Sequence, residues 1–145
     1  MKKTIIFAFA LSALTACNNG QPATQTPAHD SVPTTGMDLN NNNNEVTTAS
    51  FAKLINARPV VLVDFSATWC GPCKHLAPKI EELKTEMPGK FALLKSDVDR
   101  DGNLADSMNI QAMPTLMLYK NGILKWRQTG DLEKSELSEA IMSVQ

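Results

Sequence analysis

The segment PVVLVDFS, residues 59–66, constrains the fold more than any other stretch of this chain. Its apolar residues follow one another without alternation and are mostly β-branched, the pattern of a strand covered on both faces. A strand of that kind belongs inside a sheet with helices packed above and below it. Shortly after it ends, Cys70 and Cys73 stand with only Gly71 and Pro72 between them. An amphipathic helical pattern then runs to about Glu86, with Leu76, Ile80 and Leu83 on one face and Lys79, Glu82 and Glu86 on another. Pro78 inside it predicts a kink.

The remaining segments fill in the layers. Phe51, Leu54 and Ile55, at helical spacing after Thr47 and Thr48, predict a short capped helix over 46–56. FALLKSDV, residues 91–98, reads as a second strand, and DRDGNLADSM as a short helix beginning near Asp101. TLMLYK and ILKWRQ read as two strands joined through Asn121 and Gly122, a strong hairpin signal that makes the pair antiparallel. Leu137, Ala140, Ile141 and Val144 mark the apolar face of a closing helix. The order α-β-α-β-α-β-β-α predicts an α/β fold: a mixed central sheet flanked by helices on both faces.

Cysteine chemistry depends on compartment, and the N-terminus bears on that. MKKTIIFAFALSALTAC opens with Lys2 and Lys3, followed by an apolar run over 5–14 that ends in small residues. The run is too short to span a bilayer as a helix and has the length of a secretory leader's apolar core. Leu14-Thr15-Ala16-Cys17 resembles a bacterial lipobox, in which the cysteine after the cut becomes the acylated N-terminus. An ordinary leader-peptidase site also uses small residues, so cleavage without lipidation is the alternative. The expected organisation is a signal peptide over 1–16, lipidated Cys17 with a spacer over 17–45, and one domain over 46–145. The spacer is rich in Asn, Thr, Pro and Gln and nearly free of large apolar side chains, so it cannot bury enough surface to offset its ordering entropy. His29 within it reads as solvated. The expected location is the bacterial cell envelope, with the chain anchored in the lipid bilayer and facing the periplasm or exterior.

The chain carries 14 Lys and Arg against 15 Asp and Glu, and two of those lysines leave with the leader. That mildly acidic balance argues against nucleic acid or an anionic membrane surface as the main ligand. There is no internal repeat, phosphate-binding loop or dinucleotide fingerprint.

Three readings of Cys70 and Cys73 compete. A structural zinc site normally needs four ligands, but no second cysteine pair follows, and His75 is the only histidine in the domain. No metal is therefore expected. A stabilising staple gains little from a loop this small. Reversible redox chemistry remains, and the placement suits it. A helix N-terminus offers unpaired N–H groups and partial positive charge that favour a thiolate on Cys70. Cys70 is expected to be the exposed nucleophile and Cys73 the shielded partner one turn on. Pro72 fits the first helical turn, where its missing N–H costs little.

VDFSATWCGPCKHLAP resembles the active-site segment of thioredoxins, and MPTLMLYKNG resembles their second signature; the similarity covers essentially all of 46–145. The resemblance implies a thioredoxin-like fold, the same element order as above, and a protein-disulfide reductase that needs no dissociable cofactor. It makes Cys70 the nucleophile and Cys73 the resolving cysteine. Pro114 resembles the cis-proline facing the disulfide, with the backbone of Met113 pairing to an extended substrate. Asp64 resembles the buried carboxylate that exchanges a proton with the second cysteine, and Lys95 its ionic neighbour. Trp69, Gly71 and Pro72 would form the site surface, and Gly130 would let substrate approach. Asp64 could instead cap the following loop, Lys95 could be an ordinary surface lysine, and Met113 and Met117 could be core. Ser66 stands where the family usually has Trp, and Ala112 where it often has Gly, which bears on substrate preference and potential. Expected partners are disulfide-containing client proteins and a membrane electron donor, with the protein a monomer. A disulfide oxidase or isomerase, or a non-catalytic holdase module, are the competing functions.

Overall fold

The computed structural model describes residues 38–40 and 44–145. The leader, Cys17, His29 and most of the spacer lie outside the described residues. The elements are α1 (Thr48–Leu54), β1 (Val60–Ser66), α2 (Gly71–Glu86), β2 (Ala92–Asp97), α3 (Gly102–Ser107), β3 (Thr115–Lys120), β4 (Ile123–Thr129) and α4 (Lys134–Ser143). The sheet order is β2-β1-β3-β4, with β1 parallel to β2 and antiparallel to β3, and β3 antiparallel to β4.

β1 explains the layering. Along a strand successive side chains point to opposite faces. Val60 and Leu62 enter a cluster with Leu76, Ile80 and Leu83 of α2 and Leu137 and Ile141 of α4. Val61, Val63 and Phe65 enter another with Phe51 of α1 and Leu104 of α3. Both faces are dry, which is why the run carries no alternation. Asp64 continues the Val60–Leu62 series, on the face beneath α2.

Local signals set the element ends. The Thr47 hydroxyl accepts the Ser50 N–H and caps α1. The Glu133 N–H donates to Glu136 Oε2 at 2.9 Å at the start of α4. Asn121 and Gly122 take φ of 49° and 76°, the left-handed pair that a tight hairpin requires. The pairing then shifts, with Leu118 opposite Trp126 but Tyr119 opposite Leu124. Lys125 is thus the extra residue of a bulge on the edge strand. The helix α2 continues through Pro78 to Glu86, so the proline does not end it.

Two features begin earlier or reach further than the sequence reading placed them. The domain was expected from residue 46, yet Asp38 forms a parallel bridge with Leu93, and the Leu39 N–H donates to the Leu93 carbonyl at 2.8 Å. Lys84 holds the Asp38 carboxylate at 2.9 Å, and the Leu39 side chain packs on the cluster under α1 and α3. The exposed side of β2 is therefore partly covered by chain that composition assigns to the spacer. The second feature is Asp101, fully buried at the start of α3. Its Oδ1 accepts the Val46 N–H at 3.0 Å and Arg100 Nε at 2.8 Å; its Oδ2 accepts the Ser96 hydroxyl at 2.8 Å and an Arg100 Nη2 proton at 3.0 Å. Burial alone would raise this carboxyl, but the Arg100 fork, the Val46 N–H and the Ser96 hydroxyl outweigh it and hold it below the usual carboxylate range.

Candidate active site

The turn after β1 hands the chain to α2 with Cys70 as the N-cap, in extended conformation, its N–H donating to the Ala67 carbonyl at 3.1 Å. Gly71 and Pro72 open the helix, and Pro72 occupies a position whose N–H would have no helical partner. Cys70 Sγ accepts the Cys73 N–H at 3.2 Å. That sulfur lies at the positive end of a 16-residue helix with a backbone donor aimed at it, an arrangement that favours negative charge there. Cys70 and Cys73 are joined as a disulfide, with their Cα atoms 5.3 Å apart.

Cys73 is shielded as expected, at 7% exposed, but the expectation that Cys70 would be exposed is corrected, since it is 5% exposed. Three loops close over the pair. Ala67 packs with both cysteines, and Val98 and Met113 cover the cluster.

The facing loop is built from β3 and β4. The Met113–Pro114 peptide is cis, as the resemblance implied. The Thr115 hydroxyl donates to the Ala112 carbonyl at 2.7 Å and shares a hydrogen bond with the Thr129 hydroxyl at 2.9 Å. The Gly130 N–H donates to the Pro114 carbonyl at 2.8 Å. Gly130 has φ of 109°, and the space where a Cβ would stand is open. Backbone conformation rather than crowding therefore requires glycine here, and the open space allows the close approach expected of this residue. The Arg127 guanidinium, on β4, donates to the carbonyls of Met108 and Asn109 at 3.0 and 2.8 Å and ties down the start of the loop.

Trp69 is 65% exposed beside the disulfide in sequence. Its indole Nε1 donates to Asp99 Oδ2 at 2.8 Å, and the Asp99 N–H is held by Asp97 Oδ1 at 3.0 Å. A large ring left in water and clamped by a carboxylate is held in one orientation at the surface. Sequence reasoning did not single out Asp99. The DVDRD run that carries it reads only as a polar loop, and the bond spans 30 residues.

Asp64 is 6% exposed, and its Oδ1 has no hydrogen-bond partner. Burial pushes its carboxyl up to about 6, against the lowering field of Lys95. Lys95 stands directly opposite Asp64 in the β1–β2 register. Its ammonium, however, bonds to Glu81 Oε1 at 2.7 Å. Lys95 is thus an ionic neighbour of Asp64 through its field, while its hydrogen bond goes to Glu81 on α2. Among the described residues no group of three or more His, Cys, Asp and Glu is placed to hold a metal.

Comparison with known proteins gives a consistent result. The family model of thioredoxin matches residues 42–143. A thioredoxin of Rickettsia felis is 42% identical over 99 residues, covering 68% of this chain and 94% of that protein. A thioredoxin of Staphylococcus aureus is 40% identical over 97 residues, covering 67% and 92%. Among solved structures, Fasciola hepatica thioredoxin superposes with a TM-score of 0.64 at 35% identity, covering 75% of this chain and 99% of that one. An N21Q mutant thioredoxin from Halobacterium salinarum gives 0.65 at 29% identity, covering 77% and 92%. A redox pair at a helix N-terminus, faced by a cis-proline loop on a mixed four-stranded sheet, therefore belongs to a thiol–disulfide oxidoreductase, and this chain is a member of the thioredoxin family.

Proposed function

We propose that this oxidoreductase works outside the cytoplasm as a reductase of client-protein disulfides, tethered to a membrane of the bacterial cell envelope through acylated Cys17. The Cys70 thiolate attacks one sulfur of the client disulfide, forms a Cys70–client mixed disulfide and expels the client's other sulfur as a thiolate. Cys73 gives up its proton and attacks Cys70 Sγ. The bond to the client breaks, the client leaves with two electrons, and the Cys70–Cys73 disulfide remains. Asp64 is the base for Cys73 in this scheme, because a buried carboxyl near 6 accepts a proton at working pH. Trp69, Gly71, Pro72, Met113, Pro114 and Gly130 form the surface that receives the client as a monomeric enzyme's docking face.

No dissociable cofactor enters this cycle, since the dithiol carries the electrons. A reductase outside the cytoplasm draws its electrons from a membrane donor. The leader, the LTAC sequence and the Asn-rich spacer support the location. The single observation that carries the chemistry is Cys70 Sγ at the α2 N-terminus with the Cys73 N–H directed at it.

The experiment is equilibration of the Cys70–Cys73 pair against dithiol buffers of known potential. A value near thioredoxin's, about −270 mV, supports the reductase, and one near about −120 mV makes the protein an oxidant and overturns it.

A further inference from the structure

Glu81 has no place in the redox cycle described above, yet it takes the ammonium of the lysine that stands opposite the buried acid. Its Oε1 accepts from Lys95 at 2.7 Å and its Oε2 from Lys84 at 2.8 Å. Lys84 is pinned from its other side by Asp38 at 2.9 Å. The Glu81 carboxylate is therefore oriented from both ends, and the two lysines hold it below the ordinary carboxylate range despite the opposing effect of partial burial. Lys95 is opposite Asp64 in register, close enough for its field to act on the acid, but Asp64 Oδ1 is left without a partner.

We propose that Glu81 is a positioning residue that holds the Lys95 ammonium off the Asp64 carboxyl, so that Asp64 remains a buried acid with no ion-pair partner. The physical reasoning is a competition. A lysine has one charge on a flexible stem, and a carboxylate in partial water costs less to pair than one inside the sheet. Glu81 presents the cheaper partner on α2, the helix that covers Asp64. Of the strands paired with β1, β2 places Lys95 and β3 places Leu116 opposite the acid, and α2 carries Glu81 and Lys84. Without Glu81, Lys95 is free to turn toward Asp64, the residue opposite it in register, and the acid then gives up its proton at lower pH.

The test reads Asp64 directly. The carboxyl carbon of Asp64 is titrated by NMR in the oxidised full-length chain, in four forms: parent, Glu81→Gln, Lys95→Met and the double variant. Glu81→Gln should lower the Asp64 midpoint by about one pH unit, the small end of what a newly adjacent opposite charge produces. Lys95→Met should raise the midpoint, and adding Glu81→Gln to it should change nothing further. An unchanged or raised midpoint in Glu81→Gln overturns the proposal. So does an equal drop in the Lys95→Met background, since Glu81 would then act by its own charge. Both side chains are about half exposed, so the substitutions leave the core intact. The inference rests on the reading of Asp64 as the functional acid only for its consequence. A failed proton relay would leave the titration result standing, and a failed titration would leave the relay untouched.

Discussion

Replacing Asp64 by Asn removes the carboxylate while keeping the side chain's size, so its effect on stability should depend on pH in a defined way. In the folded chain burial lifts the carboxyl from 3.8 to about 6, with Lys95 opposing. In the unfolded chain it returns to its ordinary value. Between those two values the folded state keeps a proton that the unfolded state has released. Folding is then favoured less and less as pH rises through the window, and the loss levels off above the folded value. A difference of about two units, at about 1.4 kcal/mol each, gives about 3 kcal/mol at full depth. The Asn variant has no such titration. Guanidinium unfolding of the oxidised parent and variant should show the variant gaining about 3 kcal/mol on the parent from acid to mildly alkaline pH, with all the gain inside the window. Other titrating groups are common to both proteins and cancel in the difference. Stability curves that run parallel across the window, or a parent that gains on the variant as pH rises, would refute a raised Asp64.

The same Asp64→Asn change should slow resolution of the Cys70 mixed disulfide, most clearly below neutral pH where little Cys73 thiolate forms unaided; stopped-flow rates equal to the parent across that range would remove Asp64 from the mechanism. Cys17→Ala should shift the protein to the soluble fraction or block its maturation, and an unmodified N-terminal peptide from membrane-bound parent protein would dismiss the anchor. Asp101→Ala leaves the Val46 N–H, the Ser96 hydroxyl and the Arg100 guanidinium without their shared acceptor. It should cost about 3 kcal/mol in chemical denaturation, and a loss under about 1 kcal/mol would mean the buried node is not structural.

The elements were legible wherever one local pattern decides them. The unbroken apolar run of β1, the Asn121-Gly122 turn and the apolar face of α4 each report their element without help from the rest of the chain, and they stand in the structure within a residue or two. The cysteine pair was legible for the same reason, because spacing and helix start are local. What stayed hidden depends on residues far apart in sequence. Cys70 is covered because Val98 and Met113 arrive from other loops, and no local pattern at Cys70 announces that. Lys95 was matched to Asp64 by strand register, but Glu81, on a different element, takes its ammonium. Asp99 reaches Trp69 across 30 residues. Asp38 and Leu39 sit in a stretch whose composition reads as spacer, and only the unpaired edge of β2 gives them a place to dock.

The central claim is a division of labour in which Cys70 attacks and Cys73 resolves. Its most direct measurement is intact-mass analysis after a single turnover of the reduced Cys73→Ser and Cys70→Ser variants with an oxidised model peptide. Cys73→Ser should accumulate a one-to-one mixed disulfide through Cys70, and Cys70→Ser should accumulate none on the same timescale. Adduct on Cys73 in the Cys70→Ser variant, formed as fast as the Cys70 adduct, would contradict the account.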